Sequence, residues 1–476
     1  MKVPMKLPLF RSITALLAFF FVFAGQSGQA AGVLTLEEYL QQIQQKNGGF
    51  QSARASSAGG LARSHEGSLV LSPTLFSEVR LSRDDSYNLI NPGFTGVINN
   101  YYTVGIRQQT SFGLSGTLSY DLNYYSAPRA NLHEQIGHPQ IQLTQSLWRN
   151  GFGSEAQAGL ALAESSALAS HFGQSYAAKN ILADAETVYW RLSLARENVL
   201  VQKDAVERAQ RTYDYQARRA RLHLTDDSDS LQASAAFETR KLLLQSATDE
   251  ERSAQRAFNF ARGAAVETVA EEVSPLDIEL VTQLTPPKRE GVRDDVKAAE
   301  QTARSTAANA QLGIDRDSPT LDIYGSYALS GYGSGVGTAI GDSFKSDYPT
   351  KAIGVRFSTP LAVGAGSGAR RGWILEREAA DVSYQRKLLE QEYDWNDLNQ
   401  RFTDAQRSLK LARSIEVAQG KKLNYERGRL TRGRTTTLQV LIFEQDLASA
   451  QFARMQSEAA VLQILARMKT FGGLSL

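Results

Sequence analysis

Cysteine is absent from all 476 residues. That excludes a disulfide framework, a thiol nucleophile and a lipid-modified N-terminal cysteine. Long hydrophobic runs are missing too. Past residue 30 no stretch approaches eighteen consecutive apolar residues, so helical membrane spans are out. A closed barrel is still a possible way across a bilayer, because strands that alternate apolar and polar residues are not hydrophobic on average. Histidine is sparse: His65, His133, His138, His171 and His223 show no metal-ligand spacing. No catalytic constellation or cofactor motif appears. The run from Gly331 to Gly337 lacks the Gly-Lys-Ser/Thr ending and the helix start of a phosphate cradle, and reads as an external loop. A strong charge of one sign is also lacking. The formal net charge is +2, and an N-terminal signal would take Lys2, Lys6 and Arg11 with it, leaving about −1, which argues against a nucleic-acid partner.

Residues 1–30 read as that signal. Lys2, Lys6 and Arg11 precede an apolar stretch too short for an ordinary span, and Gly28, Gln29 and Ala30 offer small residues for cleavage after Ala30, with Ala31 next. The competing reading is an uncleaved anchor.

Beyond residue 30 the chain repeats itself. Ser72, Pro73, Thr74 and Leu75 close an alanine-rich helical stretch and open an alternating strand, and Ser318, Pro319, Thr320 and Leu321 do the same 246 residues later. Each copy then returns to a glycine-rich turn, at 149–153 and 364–368, and starts a very long helix. This repetition divides the chain into 31–263 (a helix, four strands including an extra hairpin, and a long helix pair), a connector at 264–290, and 291–476 (a helix, two strands and a second helix pair).

Six strands are expected, at 75–83, 102–109, 114–124, 141–147, 321–329 and 353–357. In the third, Leu114, Leu118, Tyr120, Leu122 and Tyr124 point one way, and Ser115, Thr117, Ser119, Asp121 and Asn123 the other. One face suits lipid and the other water. The first repeat's surplus accommodates one extra hairpin, turning tightly at 110–113. An ordinary soluble sheet with one wet face is the alternative, disfavoured by the tyrosine content and by the absence of short helices to cover it. Six strands are too few for one chain's barrel, since known single-chain barrels start at about eight. Either several chains share a barrel or the strands do not span. Tyr101, Tyr102, Tyr120, Tyr124, Tyr125 and Trp148 suggest aromatic belts at strand ends.

The helical stretches are long. Residues 154–222 contain no proline and would reach about 100 Å at ~1.5 Å per residue. Ala185, Val188, Leu192, Ala195, Val199, Gln202, Val206, Ala209 and Tyr213 form a seam with coiled-coil spacing. Further helices are expected at 230–261, 369–427 and 437–470.

Several passages resemble the TolC-like outer-membrane efflux proteins, or outer membrane factors. They are Leu34, Thr35, Leu36, Glu37 and Glu38; the strand-to-helix passages from Gln145 to Gly151 and from Ser358 to Leu361; and the tip passages at 225–233, 425–431 and 439–441. The resemblance spans both repeats in order. It implies an α+β membrane protein whose three chains share one outer-membrane barrel and extend a periplasmic helical tunnel, docking on an adaptor (membrane fusion protein) and an inner-membrane transporter. The implied function is a passive efflux or type I secretion duct, not an enzyme and without cofactors. The family has four strands per chain, so the extra hairpin either enlarges the barrel to eighteen strands or folds as a flap. The alternative from another class is an exported structural or adhesive coiled-coil protein with a β cap.

By the same resemblance the tip residues close the inner mouth. Asp229 matches the family's acidic latch position, and Arg434 is the nearest candidate for its basic partner. Gln439 replaces an acidic pore-facing residue, while Arg429, Arg432 and Arg434, offset by Asp226 and Asp227, would make the mouth basic. Adaptor docking is expected at His223, Leu224, Thr225, Gly433 and Thr435.

Overall fold

The computed structural model describes residues 33–86, 90, 95–222, 226–345, 347–361 and 364–472. The expected signal, and the docking positions His223, Leu224 and Thr225, lie outside the described residues. The chain opens with β1 (Val33–Leu34), α1 (Leu36–Lys46) and α2 (Gly48–Arg63). The charges of Glu37 and Glu38 sit where a helix N-terminus favours them, and Glu38 closes a capping box with Thr35, its carboxylate accepting from the Thr35 backbone N–H at 2.9 Å.

Four long strands come next in the chain: β2 (Thr74–Asp84), β3 (Val97–Gln109), β4 (Leu114–Ala127) and β5 (Leu132–Ser146). They lead to α3 (Ser154–Arg221) and α4 (Asp227–Ala261), then β6 (Glu272–Val273) and α5 (Ile278–Gln283). The second half repeats the order with α6 (Asp294–Asp315), β7 (Thr320–Ala328), β8 (Gly331–Gly333), α7 (Val336–Ser343), β9 (Thr350–Ser358), α8 (Ala365–Leu430) and α9 (Thr437–Met468). At 68 and 66 residues, α3 and α8 each extend for about 100 Å.

The long strands form one antiparallel sheet in the order β2-β3-β4-β5-β7-β9, with β8 paired to β5. The extra hairpin, β3 and β4, is therefore an integral part of the sheet and not a flap. Its turn falls at 110–113 as expected: Gly113 takes φ +83°, and the Thr110 hydroxyl accepts from the Leu114 N–H at 3.1 Å. Strand β5 joins the two repeats through its pairing with β7.

Register aligns one apolar face across all six strands. Leu75, Val79 and Leu81 continue into Tyr102, Val104 and Ile106, then Leu118, Ile141 and Leu143, Ile323 and Tyr327, and finally Ile353, Val355 and Phe357. Every one of these is exposed. The opposite face carries Glu78 and Arg80, Thr103 and Asp121, Gln140 and Gln142, and Asp322 and Arg356. Thr103 donates to the buried Asp121 carboxylate at 2.8 Å.

Three expectations need correction. Only some of the aromatic residues lie at strand ends: β3 and β4 extend further than alternation suggested, so Tyr101, Tyr102 and Tyr120 lie mid-strand, while Tyr124 and Tyr125 stay near the end of β4 and Trp148 follows the end of β5. The glycine run is not a plain loop, since Gly331–Gly333 pairs with β5 and Gly335 opens α7. A short helical covering does exist, because α7 packs over part of the apolar face. There the Tyr120 hydroxyl meets the Ser343 hydroxyl at 3.1 Å and the Tyr120 ring stacks on Phe344. Tyr120 is thus explained by local packing. Gly137 is required beneath α7, where a Cβ would strike the Tyr120 hydroxyl and the Ala339 carbonyl.

The helices pack on alanine. In α3 the seam positions Ala185, Leu192, Ala195, Val199 and Ala209 are buried. Rings fill the wider spaces: Tyr39 stacks on Phe258 with centroids 4.0 Å apart and donates to the Phe258 carbonyl. The connector is tied to α3 by Tyr189, which donates to the Leu34 carbonyl at 2.6 Å and accepts from the Ser274 N–H, and by Arg196, which donates to the carbonyls of Val269 and Glu271. β1 and β6 pair in parallel at the same level.

Between sheet and helix the chain bends through left-handed residues. Asn150, Phe152 and Gly153 have φ of 55°, 51° and 87°, and the Asn150 side chain accepts from the N–H groups of Glu155 and Ala156 at 3.1 Å to cap α3. Gly153 also lies against the Ser111 carbonyl, where a Cβ has no room. Gly153→Ala should therefore lower the thermal midpoint by the equivalent of ~2 kcal/mol or more, while Gly151→Ala, with open space around it, should stay within ~1 kcal/mol. Equal midpoints for the two variants would refute this account of the bend.

Candidate functional site

The ends of the two helix pairs farthest from the sheet lie side by side. Gln216, fully buried near the end of α3, donates to the Thr437 hydroxyl at the start of α9. Around this contact the candidate residues take up definite positions. Asp226 caps α4, its carboxylate accepting from the Ser228 N–H at 3.0 Å, and Asp227 and Asp229 sit in the first helical turn. The polar break between α3 and α4 is thus shorter than expected. Thr436 caps α9 by accepting from the Gln439 N–H, which puts Gln439 in the first turn of that helix.

The turn between α8 and α9 is held by its own arginines. Arg429 donates to Glu426 at 3.3 Å and to the Arg434 carbonyl at 2.9 Å, and Arg432 folds back on the Gly428 carbonyl at 2.8 Å. Gly433 supplies φ +68°. Both guanidinium groups hold the turn; Glu426 partly offsets the charge of Arg429, whereas Arg432 bonds a neutral carbonyl and keeps its charge. Thr435 is half-buried, and Arg434 is exposed. Among the described residues, no ion pair within one chain joins Asp229 to Arg434.

No protein-family model matches the chain, and no curated protein matches its sequence. Solved structures do match. The CmeC outer membrane channel of Campylobacter jejuni superposes with a TM-score of 0.65 at 15% identity, over 92% of this chain and 85% of that one. The outer membrane protein VceC of Vibrio cholerae gives 0.65 at 16% identity, over 92% and 96%. The MtrE outer membrane channel of Neisseria gonorrhoeae, in its open state, gives 0.62 at 16% identity, over 92% and 88%. This chain has the fold of the TolC-like outer-membrane channels. Long helix pairs joined to a strand domain are that channel fold, and both repeats take part in it.

Within the channel fold, the sequence reading missed charged residues buried between the helices. Arg240 is buried in α4, and Glu444 and Glu458 in α9. Heptad spacing would have found them: Ala233, Arg240, Ala247 and Ala254 succeed one another every seven residues, as do Glu444, Gln451, Glu458 and Leu465. The charge at Arg240 is conspicuous once its alanine column is drawn; the second column is itself polar at three of its four positions. Nearer the connector, Arg454 binds Glu416 at 2.7 Å and Glu458 at 2.6 Å, with Glu197 close by. Burial pushes the Glu458 carboxyl above its ordinary range, against the pull of Arg454 and with help from Glu197 and Glu416. Burial likewise raises Glu197, although it accepts from the Leu276 N–H.

A carboxyl whose pKa is raised on folding adds stability as pH falls through its folded value, and that contribution is absent above it. Asp294 behaves oppositely. Burial opposes ionisation there, but Lys179, Ser175 and Lys297 outweigh it and hold the carboxyl below its usual value, so its contribution is lost only in stronger acid. As pH falls towards the ordinary carboxylate range these two groups should contribute a rise in heat stability, and that rise should shrink in Glu197→Gln/Glu458→Gln. A double variant that kept the full wild-type rise would show that these two carboxyls are not its source.

Proposed function

We propose that three copies of this chain close one barrel in the outer membrane and continue inward as a helical tunnel, a passive duct through which solute leaves the cell. The observation that carries this reading is the sheet itself. One face is apolar and exposed across six strands, and among the described residues both edges, β2 and β9, have no further strand partner within the chain. Long, exposed, apolar edges are a liability in water, and in lipid every backbone polar group must find a partner. Because six is an even number and all pairings are antiparallel, β2 of one copy meets β9 of the next in antiparallel sense. The ring therefore closes without a change of direction. Three copies give eighteen strands, enough for a water-filled lumen.

The helices support the same assembly. α8 leaves Leu375, Val382, Leu389 and Tyr393 exposed, at steps of seven, seven and four, a stripe suited to a neighbouring copy. In the duct no bond is made or broken. The tips are its inner mouth, where Asp229 and Arg434 link neighbouring helix pairs across copies, with Asp226, Asp227 and Gln439 facing the opening. His223, Leu224, Thr225, Gly433 and Thr435 form the surface for a periplasmic adaptor and its inner-membrane transporter. That partner decides between efflux and type I secretion. Each exposed ionic link is worth only ~0–1 kcal/mol, so a latch of several is strong enough to hold and weak enough to open.

Two measurements test this. Introduced cysteine pairs along the β2 and β9 edges, in a chain that has none of its own, should yield disulfide-linked species up to a trimer. In planar bilayers Asp229→Ala/Arg434→Ala should raise conductance several-fold over wild type. The duct reading is lost if no edge pair cross-links between chains and the purified protein conducts no current. Cross-linking and conduction without an effect of the double variant would remove only the latch.

A further inference from the structure

A cleft of about 300 Å³ lies between the last turns of α3 and the α8–α9 hairpin, lined among others by Arg208, Arg211, Tyr215, Arg427, Thr431 and Glu444. Its charges do not balance. Glu444, buried, accepts from Arg427 at 2.7 Å. Arg240, also buried, reaches the same carboxylate only electrostatically, and so does Arg208. Three guanidinium groups thus share one carboxylate. The Nε and Nη2 atoms of Arg208 are closed off from water and meet no acceptor. The other acids nearby are taken or remote: Glu426 is bound by Arg429, Glu207 by Arg211 at the rim, and Asp204 acts on Arg208 only at a distance. Burial lowers the pKa of both Arg208 and Arg240, yet arginine does not lose its proton in proteins.

We propose that this cleft binds one small oxyanion of phosphate-like or carboxylate-like chemistry, held by Arg208 with Arg427 and Arg211 around it. A guanidinium presents a planar fork of N–H donors that two anion oxygens can satisfy together; the orphaned Nε and Nη2 of Arg208 are covered in this structure, so they meet the anion once the Arg208 side chain turns into the cleft. Tyr215 and Thr431 add hydroxyl groups at the wall. Bound there, the anion ties the end of α3 to the α8–α9 hairpin, because its ligands come from both. The site does not depend on what, if anything, the chain conducts.

The test uses the purified full-length protein in detergent, with inorganic phosphate as the probe against chloride at matched ionic strength. At about 5 mM phosphate, ligand linkage should raise the thermal midpoint by about 2–4 °C if the dissociation constant is about 0.1 mM. Arg208→Met should lose the shift, and without phosphate it should melt no lower than wild type, because it removes an unpaired buried charge. Arg252→Gln, at an exposed position, should keep the shift. Amide exchange in 427–444 should slow with phosphate in wild type alone. An equal shift in Arg208→Met, or no shift and no slowing in wild type, would overturn the proposal. Should Arg208→Met fail to fold, Arg208→Gln with the exchange measurement decides in its place.

Discussion

The backbone hydrogen bonds of β2 and β9 are the constraint on which the remainder of the molecule depends. Each strand pairs on one side only, and each presents apolar side chains beside its unpaired N–H and C=O groups. Water would satisfy the backbone but not the side chains, and lipid the reverse. Only another strand in contact with lipid satisfies both. The long helices are placed by the sheet, because α3 and α8 follow β5 and β9 after short links. The left-handed bend at Asn150, Phe152 and Gly153 converts strand direction into helix direction, and its close fit against the 110–113 turn couples the extra hairpin to the start of α3.

Much of this was legible in the sequence for a physical reason. Period-two alternation and heptad spacing are local signals, and the structure uses both without tertiary override. The four long helices fall within a few residues of their expected places, and all six strands are present, although β3 begins five residues and β5 nine residues before the expected start. What was not legible is where alternation fades while pairing continues. Val97 to Tyr101 and Leu132 to Gln140 lack clean alternation, yet they are strand because their neighbours supply hydrogen bonds. The same holds for Gly331–Gly333, which no propensity scale would favour. α7 was hidden among glycines, and its site over Tyr120 and Gly137 depends on contacts more than 190 residues apart in sequence.

The tips illustrate the other limit. Charge and loop position drew attention to Arg429 and Arg432, but both are spent on holding the turn. The unusual electrostatics lie farther in, at Arg208, Arg240 and Glu444, on faces that composition alone would assign to packing. Reading exposed charge is therefore a poor guide in a coiled coil. Reading charge against the heptad column is a better one, because a column residue must be buried whether or not it is polar.

Those column charges are weak evidence for stabilisation. Replacing a whole buried ion pair with well-packed apolar groups is often neutral or stabilising, whereas removing one partner alone, as a leucine at Glu458 would, leaves Arg454 with a buried charge that has lost its partner. The two clusters also differ in sign. Towards the connector, Glu197, Glu416 and Glu458 surround one arginine; towards the tips, Arg208, Arg240 and Arg427 surround one glutamate. In the first cluster Arg454 binds Glu416 and Glu458 directly, whereas in the second Glu444 is bound directly by Arg427 and feels Arg208 and Arg240 only electrostatically.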